Sequence, residues 1–135
     1  MNSSAHAACT VSSTSINFGT YDFLSSLPVT GNGTLTLSCT KKSTVEIAIG
    51  TSSYSGSFIP RKMKHFSLAD TLDYNLYTSA AMIEVWGDGT NGTSSSSFNG
   101  ISKKNTIVNF YGKITPLQNV PAGNYSEQLV VTITY

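Results

Sequence analysis

The sequence predicts an all-β fold, an antiparallel sandwich of about seven strands. Three observations point there. Apolar and polar residues alternate with a period of two, turn-forming residues separate the alternating segments, and no stretch carries a helical repeat.

In chain order, Cys9-Thr10-Val11 reads as a short first strand. Leu35, Leu37 and Cys39 then alternate with Thr34, Thr36 and Ser38, and Val45, Ile47 and Ile49 with Thr44, Glu46 and Ala48. Leu72, Tyr74 and Leu76 alternate with Asp73, Asn75 and Tyr77; Ile107 to Tyr111 is a shorter apolar run. Leu129, Val131, Ile133 and Tyr135 close the set. Thr, Val, Ile and Tyr fill these segments, as a pleated half-buried surface favours. Gly31-Asn32-Gly33, Gly50, Ser55-Gly56, Gly87-Asp88-Gly89, Asn91-Gly92, Asn99-Gly100 and Ala122-Gly123-Asn124 read as turns. Thr93 to Ser97 reads as a flexible loop tip. Short strands punctuated this way imply a Greek-key, immunoglobulin-like arrangement.

Length and charge bound the function. The 135 residues suit one domain with a sizeable core, with neither linker nor internal repeat. Charged residues make up 11% of the chain and the net charge is +1, which argues against electrostatic nucleic-acid binding. The local basic cluster, Arg61-Lys62-Met63-Lys64-His65, reads as a solvated loop. No apolar run approaches the ~20 residues of a membrane helix, so no membrane insertion is expected.

Cys9 and Cys39 fit no zinc or redox spacing. A disulfide between neighbouring strands is the simplest reading, and two buried thiols the alternative. The disulfide would close a loop of about 30 residues, contribute about 3 to 4 kcal/mol, and imply an oxidising compartment. Ala5-His6-Ala7 before Ala8-Cys9 has the small-x-small form of a signal-peptidase site. Residues 1–7 therefore read as a signal-peptide stub or a cloning scar, and residues 8–135 as the domain.

The order of motifs carries a resemblance. Cys9-Thr10-Val11, Asn17-Phe18-Gly19-Thr20-Tyr21-Asp22 and Leu37-Ser38-Cys39-Thr40 resemble the opening of a spore coat protein U domain. Arg61 with Met63, Leu72 to Tyr77, Trp86-Gly87-Asp88-Gly89-Thr90, Tyr111-Gly112 and Ala122-Gly123-Asn124-Tyr125 before the final strand continue it to Tyr135. That family includes subunits of archaic, Csu-type chaperone–usher pili and a spore coat protein. The resemblance implies an incomplete sandwich lacking its last strand, filled first by a periplasmic chaperone and then by the next subunit after passage through the usher. It also implies export through the periplasm to the cell surface. Leu129, Val131, Ile133 and Tyr135 would form the edge that accepts the donated strand. Residues 1–8 lack the alternating donor segment of a shaft subunit. The first expectation is therefore the N-terminal binding domain of a tip adhesin, with a sandwich that could be complete by itself. A shaft subunit without its donor strand, or a spore coat protein, is the alternative.

A tip adhesin needs exposed loop side chains. Phe23, Leu24 and Leu27, then Tyr54, Phe58 and Ile59, then Phe98 and Ile101 lie in segments read as apolar loops, with Thr78 to Ile83 a weaker candidate. Exposed, they would attach the protein to an abiotic or host surface and support biofilm formation; the alternative is that they cover the ends of the core. Trp86 reads as core rather than a sugar platform, Asp88 as a turn residue rather than a calcium ligand, and Tyr125 as the tyrosine of an immunoglobulin-type corner. No arrangement of nucleophile and base, paired carboxylates or metal-ligand spacing appears, so neither catalysis nor a cofactor or metal is expected.

Overall fold

A computed structural model describes residues 8–14, 16 and 18–135. The signal-peptidase site and residues 1–7 lie outside the described residues. Nine strands form two antiparallel sheets: β1 (Cys9–Ser13), β2 (Val29–Cys39), β3 (Ser43–Ile49), β4 (Arg61–His65), β5 (Thr71–Tyr77), β6 (Ser96–Ile101), β7 (Thr106–Ile114), β8 (Tyr125–Ser126) and β9 (Val131–Thr134). The large sheet has the order β1-β2-β7-β5-β4-β8 and the small one β6-β3-β9.

The alternating segments become the strands that hold the core. Leu35, Leu37, Val45, Ile47, Leu72, Trp86, Ile101 and Ile114 are buried between the sheets. Trp86 donates from Nε1 to the Ile47 carbonyl at 3.0 Å, which ties the segment before β6 to β3. Cys9 and Cys39 sit directly opposite each other in the β1–β2 register and form a disulfide. In chain-entropy terms that cross-link contributes about 3 to 4 kcal/mol.

Three local expectations are corrected. Arg61 to His65 is strand β4, not a solvated loop. Its side chains alternate, so Arg61, Met63 and His65 point inward and are buried while Lys62 and Lys64 point outward. Gly31-Asn32-Gly33 lies inside β2, paired with Tyr111 to Gly112 and Phe110 of β7, rather than in a turn. A Cβ on Gly33 would stand 2.5 Å from the Phe110 ring, so the glycine makes room for that ring on the sheet face. Thr93 to Ser97 is not a loop tip. Thr93 is buried, Ser94 bridges Trp86, and the tract runs into β6.

The final apolar segment forms a strand only over Val131–Thr134, and a further short strand precedes it. Tyr125–Ser126 pairs with β4 in the large sheet, and Val131–Thr134 pairs with β3 in the small one. Residues 127–130 cross between the sheets, with the Gly50 amide donating to the Val130 carbonyl at 2.9 Å.

Candidate functional site

β1 ends the large sheet and β9 ends the small one, and each has a strand partner on one side among the described residues. A cleft of about 460 Å³ opens over the inner face of the large sheet, with Ser13 at the end of β1 and Val131 at the start of β9 on its rim. Leu35, Met63, Tyr74, Leu76 and Phe110 of the large sheet and Ile49 of the small sheet form its floor. Ser13, Thr14, Ile16 and Phe18 form one wall; Tyr125 to Leu129 and Val131 form the other. Leu129, Val131 and Ile133 pack against the core but are only half-buried, and Leu129 and Val131 line the cleft. Tyr135 is exposed. Among the described residues the site therefore offers apolar core side chains open to the cleft next to two sheet-ending strands, a combination that an extended strand with alternating apolar side chains satisfies.

Phe18 and Ile16 are seated by glycine. A Cβ on Gly112 would stand 2.5 Å from Phe18 Cζ and 3.0 Å from Ile16 Cδ1. The Phe18 ring also meets Tyr74 edge-on at 6.3 Å.

The other wall is held by Glu127. Its carboxylate accepts from Tyr74 Oη at 2.8 Å, Ser52 Oγ at 2.6 Å and the Ser53 amide at 2.9 Å. These contacts fix the crossing segment to β5 and to the 50–60 connection. Burial first, and the Glu127 carboxylate second, push the Tyr74 phenol well above its ordinary range, so it stays protonated and donating.

Opposite Tyr74 in the β4–β5 register lies Arg61, fully buried at 0% exposure. Its guanidinium donates to the carbonyls of Ile49, Gly50 and Trp86 and to Asn75 Oδ1, all within 3.0 Å. It lies 5.6 Å from the Phe58 ring centroid. Burial pushes the Arg61 pKa down, while Tyr74 and Glu127 act in the opposite direction. Arg61 thus joins the large sheet to the end of β3. Asn75, Glu127 and this network were missed in the sequence, where Arg61 carried only the sign of a basic run.

The loop residues divide. Phe23, Leu24 and Leu27 are exposed on the connection between β1 and β2, and Tyr54 and Ile59 on the connection between β3 and β4. Phe58 and Ile101 are 7% and 2% exposed, so burial removes both from any surface contact. Phe58 lies against Arg61 and Ile101 ends β6 against the core. Phe98 is in β6, not a loop, and is half-buried with its ring centroid 6.5 Å from that of Trp86.

Three connections meet at one pole. The Tyr21 amide donates to the Gly123 carbonyl, and the Phe66 amide to the Asn124 carbonyl. His65 Nε2 pairs with the Ala122 carbonyl at 3.1 Å, and the Gln118 amide donates to Tyr21 Oη at 2.8 Å. Tyr125 Oη donates to the Pro121 carbonyl four residues upstream, as in a tyrosine corner. Leu24, Leu27, Phe66 and Leu117, exposed by 75%, 71%, 72% and 62%, project from these knitted connections. Phe66 and Leu117 stood alone among polar residues and gave no signal in the sequence.

Asp88 accepts from the Thr90 amide and hydroxyl and closes a turn. No group of three or more His, Cys, Asp or Glu gathers as a metal site among the described residues. No helix among them is long and apolar enough to cross a membrane.

An antiparallel two-sheet sandwich with a cleft opening into its core is the class of protein that fold and cleft define. The chain matches the Spore Coat Protein U domain over residues 1–132, and it belongs to that family. Protein U of Myxococcus xanthus is 37% identical over 130 residues, covering 89% of this chain and 71% of that protein. The crystal structure of the CsuC–CsuE chaperone–tip adhesion subunit pre-assembly complex, from archaic chaperone–usher Csu pili of Acinetobacter baumannii, superposes with a TM-score of 0.65 at 23% identity. It covers 96% of this chain, which spans only 40% of the length of that one, and the likeness is one of fold.

Proposed function

We propose that this protein is a subunit of a chaperone–usher pilus, exported through the periplasm and displayed at the cell surface. Its cleft accepts an extended strand, first from a periplasmic chaperone and then from a neighbouring subunit handed over at the usher. The observation that carries this reading is the cleft with an apolar floor that opens into the core beside the end of β1 and the start of β9, the two strands that end their sheets. An inserted strand pairs the edge backbone, and each apolar side chain it seats contributes on the order of 1.5 to 3 kcal/mol.

The test is size-exclusion chromatography and thermal melting with and without a peptide of alternating large apolar residues, patterned on a donor strand of this family. A fragile or self-associating protein that becomes a stable monomer with peptide is the expected result. A stable monomer indifferent to peptide would mean a self-complete sandwich and would overturn the strand-accepting role.

A second reading places the domain at the pilus tip, where it attaches to apolar surfaces and supports biofilm formation. The exposure of Leu24, Leu27, Phe66 and Leu117 on the connections that meet at one pole favours it. Packing in a spore coat by strand exchange would use the same cleft.

A further inference from the structure

The near-neutral net charge hides a polarised surface. Lys41 and Lys42 lie on the connection between β2 and β3, and Lys103 and Lys104 on the connection between β6 and β7. Some sixty residues apart in sequence, these two connections are neighbours in space. The Cys39 amide donates to the Ser102 carbonyl at 2.9 Å, Ser38 Oγ donates to the Lys103 carbonyl at 3.2 Å, and the Lys42 stem runs beside Gly100. Half of the eight Lys and Arg residues of the chain therefore sit together at one pole, opposite the apolar connections.

The other four cations have structural employment. Arg61 is buried among carbonyls, Lys62 pairs with Asp73, Lys64 reaches the His65 carbonyl, and Lys113 lies over the Tyr77 ring. The ammonium groups of Lys41, Lys42, Lys103 and Lys104 make no hydrogen bond or ion pair among the described residues, and all four are exposed. No acidic residue stands on either connection; the nearest in sequence, Glu46, lies along β3 and accepts from Ser95. Four like charges held together repel one another and give the fold nothing in return.

We propose that this pole binds an acidic polysaccharide. Lysine is a hydrated point charge that contacts carboxylate or sulfate groups without bidentate geometry, and it is depleted in protein–protein interfaces. Neither connection carries an aromatic residue that could stack on a base. The surrounding exposed surface is Thr10, Thr40, Thr44, Asn99 and Asn105, which suits sugar hydroxyls and does not extend the positive charge as a duplex backbone requires. The platform is pre-organised, because Cys39 is cross-linked to Cys9 and the Thr40 amide donates to the Ala8 carbonyl.

The experiment is fluorescence anisotropy of a labelled alginate oligomer titrated with the full chain at several salt concentrations. The wild type is expected to bind, with log affinity falling against log salt at a slope of about −3, from ~0.7 counterions per contacted charge. Changing Lys41, Lys42, Lys103 and Lys104 all to Gln should weaken binding at least about tenfold, while changing all four to Arg should keep it within about threefold. A charge-matched control at the opposite pole, Thr20→Glu, Ser26→Glu, Ala69→Glu and Asn119→Glu, should keep binding within about threefold of the wild type at moderate salt. Unchanged thermal melting certifies each variant as folded. Three results would overturn the proposal: no binding by the wild type at low salt, equal weakening in the charge-matched control, or tighter binding of a DNA duplex than of the polyuronate.

Discussion

Arg61 stands where a basic side chain is least expected, inside the sandwich, and its guanidinium is held by carbonyls rather than by a carboxylate. Its Nε and Nη2 bridge β4 to Ile49 and Gly50 at the end of β3 and to Trp86, so one side chain fastens the two sheets beside the cleft. Arg61→Ala would leave several buried oxygens without donors, at about 1 to 3 kcal/mol for each that water cannot reach. The expected result is a loss of more than about 3 kcal/mol in chemical denaturation, with no rescue by Arg61→Lys, whose single ammonium cannot span the same acceptors. A wild-type denaturation midpoint in Arg61→Ala would show that the carbonyls find water instead. None of this was legible in the run Arg61-Lys62-Met63-Lys64-His65, because its charge masks its alternation. Arg61, Met63 and His65 occupy every second position, the pattern that identifies the other strands. Trp86 and Tyr125 were legible, since each stands beside a glycine-containing turn and their polar groups find backbone carbonyls.

At the scale of elements, periodicity located the buried strands and failed where glycine replaced a side chain. Leu35, Leu37, Val45, Ile47, Leu72 and Leu76 all face the core as the alternation required. β2 is longer than its alternation alone suggests, because Gly31 and Gly33 resemble turn residues. In the fold they sit on the inward face, where rings from other elements take the space of their missing side chains. Gly33→Ala should therefore overpack the Phe110 ring and cost about 1 to 3 kcal/mol, while Asn32→Ala on the exposed face should cost close to nothing. Thermal melting of the pair decides the matter. Equal melting temperatures would mean that the ring has room to yield and that the glycine serves no packing purpose. The short strand β8 was illegible for another reason. It has only two residues, Glu127 interrupts the apolar alternation between it and Leu129, and it pairs with β4 while β9 pairs with β3.

Over the whole molecule the sandwich is polar from end to end as well as from core to surface. One pole carries exposed apolar side chains, the opposite pole carries lysines, and the cleft opens into the core beside the end of β1 and the start of β9. The apolar pole was half-legible. Phe23, Leu24 and Leu27 stood out as a run, but Phe66 and Leu117 share their pole only because hydrogen bonds of Tyr21, Phe66 and Gln118 knit three connections together. Phe58 and Ile101, equally apolar in sequence, turned inward because β6 and the Arg61 network needed them. Attachment to an apolar surface through this pole buries area worth roughly 25 cal/mol per Å², shared among side chains that the fold does not need. Leu24→Ser, Leu27→Ser, Phe66→Ser and Leu117→Ser combined should leave the melting temperature near that of the wild type, since exposed substitutions fall within about 0.5 kcal/mol of neutral. The same variant should lose most of its adsorption to polystyrene beads, measured as bound protein after washing in detergent-free buffer. A charge-neutral control on the flank, Thr30→Ser with Asn109→Ser, should adsorb as the wild type does. If the quadruple variant adsorbs fully while remaining folded, the apolar pole is not an attachment surface, and the tip reading falls while the strand-accepting cleft stands untouched.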